Sequence, residues 1–171
     1  GYQKMDKENK LVPGLPSGFE DRWSNKLLLK KKLVKAIEKN FIKFGAEALE
    51  TPSFEISENI GSFLAEDDTN PMSDVFSFED GEKNITLRYD LSSPLARFVA
   101  QNNQELPSIF KRYQIQNVFR NEKAGNGRYR EFMQADFDIV GNVDPAQANA
   151  ELCNLISVSY THLTLPTTRC V

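Results

Sequence analysis

The residues best suited to chemistry lie between Phe110 and Gly141, in two runs of alternating side chains joined by a polar loop with two glycines. A period of two predicts two β-strands, each placing alternate side chains on opposite faces of a sheet. One face is largely apolar and can pack on a core. The other face and the loop carry the polar residues Arg120, Glu122, Arg128, Gln134, Asp136 and Asp138.

These polar side chains favour ligands of both signs. A guanidinium is a planar, permanently charged fork that matches a phosphate, which suits Arg120 and Arg128. The acceptors of Gln134, Asp136 and Asp138 favour a cationic or N–H-bearing group. Both signs on one hairpin indicate a phosphate held beside an ammonium, as ATP next to an amino acid would present. The alternative is a polar sheet face that meets water, although the interleaved aromatic residues favour a partly enclosed pocket.

A second polar group lies upstream, where a strand is predicted to meet a helix. The segments DVFSFED and NITLRYD are typical of two strands joined through the turn signal Asp80-Gly81. Ser92 or Ser93 followed by a proline predicts a helix start. Asp90 and Ser92 therefore lie where polar groups can point into a pocket, and helix capping is an equal alternative for Ser92.

The amino-acid sequences of these segments resemble those of one family. FRNE, a short loop and GRYREFMQADFDIVG resemble motif 2 of class II aminoacyl-tRNA synthetases, in the form found in histidyl-tRNA synthetases. LRYDLSSPLARFVA resembles that family's histidine-binding segment, and FGAEALETPSFE resembles its motif 1. The three segments occur in the family's order between about Leu15 and Ile156, which is much more specific than any single motif.

The resemblance implies roles for the ATP side of the site. Arg120 would be the catalytic residue, binding the α-phosphate of ATP and the carboxylate of histidine. Glu122 would meet the adenine amino group, and Arg128 would contact the outer phosphates. Mg²⁺ would accompany the nucleotide, with no metal held tightly by the protein.

On the amino-acid side, the resemblance implies that Asp90, Ser92 and Gln134 hold the α-ammonium of histidine. Asp138 would accept an imidazole N–H, and Asp136 would support the pocket behind these groups. Asp90 stands where many bacterial members have Pro-Glu-Gly-Thr, which resembles the eukaryotic-type branch, and Ser92 replaces the usual threonine with another hydroxyl. The motif 1 helix and strand, ending at Pro52, would form a homodimer interface.

The implied activity is ATP-dependent formation of histidyl-adenylate and transfer of histidine to tRNA(His), in the cytoplasm. We expect this chain to be a truncated, inactive fragment, because motif 3 and the anticodon-binding domain are absent from it. The alternative is the non-catalytic, histidine-sensing regulatory subunit of ATP phosphoribosyltransferase, which has the same fold. Arg120, Glu122 and the GRYRE loop favour the synthetase, since a sensor has less need of phosphate-binding groups. Prolyl or threonyl synthetases lack the QADFD and RYDL pair.

The elements that position these residues are predicted from hydrophobic periodicity. Apolar residues at three- and four-residue spacing predict a helix from about Asn25 to Phe44, with lysines that favour a solvated face over RNA contact. AEALETP is typical of a short strand, Phe54–Leu64 of a helical or irregular segment, and Asp144 of a cap that begins a last helix. The predicted class is α+β: an antiparallel sheet flanked by helices, forming an incomplete class II synthetase-like core.

The composition limits the classes of protein to which the chain can belong. The 171 residues are 40% apolar and 26% charged with a net charge of −3, which is ordinary for a globular domain and argues against a broad basic surface for nonspecific nucleic-acid binding. Two cysteines give no disulfide framework, and a sole histidine, His162, makes a zinc site or a histidine-based triad implausible. No run of residues reaches the length of a membrane span.

We expect three divisions of the chain. Residues 1–14 are a polar lead-in, in which 1–4 are either non-native residues before a start at Met5 or ordinary residues before an internal methionine. Residues 15–157 form the partial catalytic domain, with motif 1 at about 27–55, the histidine-binding segment at 87–98 and motif 2 at about 110–141. Residues 158–171 lack a helical stripe and are expected to be a non-native tail, the alternative being a genuine β-prone terminus.

Overall fold

The computed structural model describes residues 12–64, 74–123 and 125–164. Helices and strands are mixed along the chain and confirm the predicted α+β class. Their order is α1 Ser24–Lys43, β1 Glu47–Ala48, β2 Phe54–Ile56, α2 Ser57–Leu64, β3 Ser77–Asp80, β4 Lys83–Leu87, α3 Ser92–Asn102, β5 Ile109–Phe119, β6 Glu131–Gly141 and α4 Pro145–Thr164.

The β5–β6 hairpin is the longest pairing among the described residues. Its antiparallel register runs from Ile109 opposite Gly141 to Phe119 opposite Glu131. The two faces predicted by parity are confirmed, because Gln114 lies opposite Asp136 while Tyr113 lies opposite Phe137. β1 adds to the other edge of β5 in parallel, giving the order β1-β5-β6.

The apolar face of this sheet packs against α1 and α4. Phe41 of α1 lies with its ring centroid 5.7 Å from that of Tyr113 and 5.6 Å from that of Phe137. Leu155 of α4 and Ala46 complete the buried cluster. α1 ends as predicted, since Gly45 has a φ of +81° just beyond its last turn. The polar face of the hairpin is consequently turned away from this core.

A second antiparallel sheet has the order β2-β4-β3. The turn between β3 and β4 is confirmed, with Gly81 at a φ of +61°. The prediction for Phe54–Leu64 was wrong at its start, because Phe54–Ile56 forms β2 opposite Leu87–Ile85. Three residues are too few to show a period, and the pairing depends on β4. The polar run EDDTNPMSD, which is typical of a loop, spans 66–74, and all of it except Asp74 lies outside the described residues.

The last helix begins as predicted and ends later than the sequence pattern indicates. Asp144 Oδ1 accepts a hydrogen bond from the backbone N–H of Ala146 at 3.2 Å, next to Pro145 at the helix start. α4 continues through Thr164, because each further residue of an established helix adds a hydrogen bond even without an apolar stripe. The non-native origin of 158–171 stays a prediction. In the described part of the chain, no helix is long and apolar enough to cross a membrane.

Candidate functional site

Arg120 directly follows β5 and lies between two aromatic rings. Its guanidinium carbon is 4.3 Å from the ring centroid of Tyr89 and 5.1 Å from that of Phe132. Its Nε also donates a long hydrogen bond of 3.5 Å to the carbonyl oxygen of Tyr89. Cation–π contacts orient a guanidinium without neutralising it, so the charge of Arg120 is held in place and remains available.

Arg120 lines a cavity of about 340 Å³ with the other two residues predicted for the ATP side, Glu122 and Arg128. Gly127, Tyr129 and Phe132 complete the lining. The loop folds back on itself through a bridge between Gly125 and Arg128, with Gly127 at a φ of +76°. Two guanidiniums, one carboxylate and aromatic surface suit a phosphate-bearing ligand with a planar base.

Arg130 anchors the base of this loop, a role that the sequence reasoning missed. Its N–H donates to the carbonyl oxygen of Gly18 at 2.7 Å, and its guanidinium carbon lies 4.5 Å from the centroid of the Phe76 ring. Its carbonyl oxygen accepts the N–H of Arg120 at 2.9 Å. Arg130 therefore connects Gly18 and Phe76, which directly precedes β3, to Arg120. The only sequence feature that pointed to this role of Arg130 was its position next to the glycine-bearing loop.

The predicted amino-acid side of the site lies on the polar face of β6. Gln134 Oε1 is buried without a hydrogen-bond partner among the described residues. Burial raises the pKa of Asp136, and the charges of Asp138 and Asp90 raise it further, while Arg112 acts in the opposite sense. Asp138 is partly exposed and ion-paired with Arg112. An unpaired acceptor beside clustered carboxylates favours a ligand that brings N–H groups or positive charge.

Asp90 and Ser92 lie at the predicted junction before α3, and Asp90 already has a structural partner. Asp90 Oδ1 accepts the backbone N–H of Ser93 at 3.2 Å, so Asp90 caps the helix. Ser92 is exposed and is not the N-cap, a position that Leu91 occupies. The Ser93 hydroxyl is buried and has no hydrogen-bond partner among the described residues. Sequence reasoning singled out Ser93 only as a possible cap.

Pro52 is exposed and directly follows Thr51, whose backbone is hydrogen-bonded to Arg88. Arg88 donates from Nη1 to the carbonyl oxygen of Thr51 at 2.7 Å and from Nε to that of Asn117 at 2.6 Å. Burial lowers the pKa of Arg88. The contacts connect the motif 1 segment to β5, and Arg88 immediately precedes Tyr89, which packs on Arg120.

The predicted residues thus fall into two groups. One surrounds the cavity beside Arg120, and the other lies along β6 with Asp90 close enough to influence the pKa of Asp136. Within 12–64, 74–123 and 125–164, no cluster of three or more His, Cys, Asp or Glu side chains is arranged to hold a metal ion.

Comparisons with known proteins show the family of this chain. A family model described as histidyl-tRNA synthetase matches residues 18–169. A histidine–tRNA ligase of Pelagibacter ubique is 81% identical over 153 residues, which cover 90% of this chain and 33% of that protein. One from Rhodopseudomonas palustris strain BisB18 is 42% identical over 165 residues, covering 96% of this chain and 31% of that protein. The chain therefore spans about a third of the length of these relatives.

Two solved structures share the fold. The histidyl-tRNA synthetase of Nostoc sp. PCC 7120 superposes with a TM-score of 0.72 at 27% identity, covering 87% of this chain and 34% of that one. A Bacillus halodurans protein described as an ATP phosphoribosyltransferase regulatory subunit/histidyl-tRNA synthetase gives 0.77 at 23% identity, covering 94% and 40%. At that identity the second match shows the fold alone and does not favour the regulatory alternative.

Proposed function

Because the chain belongs to the histidyl-tRNA synthetase family, we propose that its residues form part of the site where L-histidine is activated with ATP and transferred to tRNA(His). The observation that carries the proposal is the position of Arg120, held between Tyr89 and Phe132 in a cavity shared with Glu122 and Arg128. This chain alone would lack activity, as expected from its length relative to the family.

In the proposed first step, a carboxylate oxygen of histidine attacks the α-phosphorus of ATP. A new phosphorus–oxygen bond forms as the bond to pyrophosphate breaks. Arg120 would stabilise the charge that develops on the α-phosphate, Arg128 would contact the outer phosphates, and Glu122 would accept a hydrogen bond from the adenine amino group. Mg²⁺ would enter with the nucleotide and neutralise phosphate charge. A terminal ribose hydroxyl of tRNA then displaces AMP from the histidyl carbonyl.

We assign histidine itself to the polar face of β6. The buried Gln134 Oε1, which has no partner among the described residues, supports a role in accepting an N–H of the α-ammonium. Asp90 would contribute negative charge to the same group, and Ser92 would add a hydroxyl. Asp138 would accept an imidazole N–H, with Asp136 as support behind it. Holding both substrates in one orientation is where such a site gains most of its rate.

A second copy of the chain is the proposed partner at motif 1, over Leu27 to Pro52. Exposed apolar residues on α1 support this assignment, with exposed fractions of 56% for Leu28, 69% for Leu29 and 42% for Leu33. Apolar groups clustered on an exposed helix face are typical of an interface. Because the proposed reaction supplies translation, we place the protein in the cytoplasm.

The test uses a chimera in which residues 18–157 of this chain replace the matching segment of the Pelagibacter ubique ligase. We expect the chimera to attach histidine to tRNA(His) within about tenfold of the parent rate. At 81% identity, the inserted segment should pack against the rest of the ligase as the parent segment does. Arg120→Ala should reduce charging about 100- to 1,000-fold, the range for losing a donor to developing charge.

The control is Lys83→Ala, which removes an exposed cation from the start of β4 and should leave charging unchanged. Normal charging by the Arg120→Ala chimera would overturn the proposal, as would equal losses in the two variants.

A further inference from the structure

Arg112 is a fully buried cation next to the proposed histidine pocket. It lies on β5 directly opposite Asp138 of β6. Its Nη2 donates to the carbonyl oxygen of Leu91 at 2.9 Å and lies 3.1 Å from Asp138 Oδ2. The side chain of Asp138 is 40% exposed. One end of the ion pair is therefore sealed inside the protein, and the other is partly exposed.

Burial at this position is unfavourable for an arginine whose only role is packing. Its Nε and Nη1 are buried with no hydrogen-bond partner among the described residues. Burial lowers the pKa of Arg112, and the charges of Asp138, Asp136 and Asp90 oppose that shift. A buried arginine with unused donors costs stability, and an apolar residue of the same volume would often be cheaper. Phe110 and Val118, on the same face of β5, show that apolar side chains fit there.

The charge balance of the pocket explains what the cation does. Asp90, Asp136 and Asp138 lie close enough to one another to affect the pKa of Asp136. Like charges at such distances disfavour joint ionisation. Arg112 is a cation that interacts electrostatically with all three carboxylates. One positive charge among three carboxylates leaves an excess of negative charge for a cationic ligand. Arg112 also restrains one of the three carboxylates, that of Asp138.

Resting on the function proposed above, we propose that Arg112 is a positioning residue for the binding of histidine. By holding Oδ2 of Asp138 from behind, it fixes the carboxylate so that the remaining acceptor capacity faces the imidazole N–H. Leu91 O holds the guanidinium in turn, so the start of α3 is part of the same device. Arg112 acts through Asp138 and does not touch the substrate.

The experiment compares Arg112→Met and Arg112→Lys in the chimera, using histidine-dependent ATP–pyrophosphate exchange. For Arg112→Met we expect the KM for histidine to rise about 10- to 100-fold, the range for losing a hydrogen bond to a charged group. The KM for ATP should stay within about twofold, because Arg112 lies outside the cavity beside Arg120. Arg112→Lys keeps the charge and should recover at least about half of the loss on a logarithmic scale.

The control is Arg97→Lys, which alters a different arginine–carboxylate pair, formed with the buried Glu55, and should leave both KM values unchanged. If Arg112→Met does not fold, judged by circular dichroism, Arg112→Lys decides: its KM for histidine should rise above the parent value while its KM for ATP does not. Equal rises in both KM values, or an unchanged KM for histidine, would overturn the proposal. An unsubstituted chimera without exchange activity would instead refute the proposed function.

Discussion

Among the described residues, the guanidinium of Arg120 lies against two aromatic rings and donates to the backbone carbonyl oxygen of Tyr89. A carboxylate partner would neutralise the guanidinium and compete with a phosphate for its N–H groups. Aromatic rings restrain the plane of the guanidinium while its edge stays available for hydrogen bonding. At the scale of the residue, this arrangement favours the binding of an anion over a structural ion pair.

Tyr89 should therefore contribute through its ring. We expect Tyr89→Leu in the chimera to raise the KM for ATP about 3- to 30-fold, the range for losing a cation–π contact. Tyr89→Phe keeps the ring and is the matched control, with an expected change of less than about twofold. Steady-state exchange kinetics at varied ATP measure both. Identical behaviour of the two variants would show that the ring does not position Arg120.

Asp136 should make stability depend on pH. Burial raises its pKa in the folded state above its ordinary value of 3.8, so the folded state holds the proton more tightly. Stability is then lost as pH rises from the ordinary value through the folded-state value. Asp136→Asn should raise the Tm at pH 7, and the gain should shrink as pH falls towards 3.8. Thermal unfolding followed by circular dichroism at several pH values measures this.

Asp80→Asn, an exposed carboxylate on β3, is the control for that series and should give no such pH-dependent difference. A lower Tm for Asp136→Asn at pH 7 would mean that its attraction to Arg112 outweighs the cost of its burial.

The sequence predicted which side chains share a face of the hairpin. It did not predict which of the polar side chains on that face are buried. Period two assigned Gln134, Asp136 and Asp138 to one face, and the register confirms it. That Arg112 on the opposing strand is sealed depends on Leu91, 21 positions away in the chain. Burial of a cation is a tertiary property, so no local pattern could reveal it.

At the scale of the elements, β2 was the least predictable. It has three residues, and its pairing depends on β4 lying beside it, whereas β1 was predicted within AEALETP. α1 was predicted from its apolar spacing, and the starts of α3 and α4 from local serine, aspartate and proline signals. The candidate site combines both kinds of element, so sequence reasoning found its residues but missed the contacts that hold them.

Arg88 should be the main connection between those elements. Arg88→Met would leave the carbonyl oxygens of Thr51 and Asn117 without a donor that they now have. We expect the free energy of unfolding to fall by about 2–4 kcal/mol, since buried acceptors that lose their partners are costly. Urea unfolding of the chain measures it. Lys83→Met, exposed at the start of β4, the strand that ends just before Arg88, should change stability by less than about 0.5 kcal/mol.

If Arg88→Met and Lys83→Met destabilise the chain equally, Arg88 does not connect the motif 1 segment to β5. In that case, the position of Tyr89 must be fixed by other contacts of the strand.

At the scale of the whole molecule, the exposed leucines of α1 predict self-association. Leu29→Asp in the chimera should shift a dimer towards monomer in sedimentation velocity, because a charge would be buried in an apolar interface. Lys32→Asp, a neighbouring exposed position, makes the same residue without removing apolar surface and should leave the dimer in place. A chimera that sediments as a dimer regardless of Leu29→Asp would place the interface elsewhere.

The central claim is that these residues select histidine and activate it with ATP. The most direct measurement is ATP–pyrophosphate exchange by the chimera, with each of the twenty amino acids supplied singly and with the 171-residue chain alone in parallel. We predict exchange with histidine at least about 100-fold above that with any other amino acid, since groups built to pair with a substrate N–H discriminate strongly, and no exchange by the chain alone. A folded chimera that shows no exchange with histidine, or that prefers another amino acid, would contradict the account.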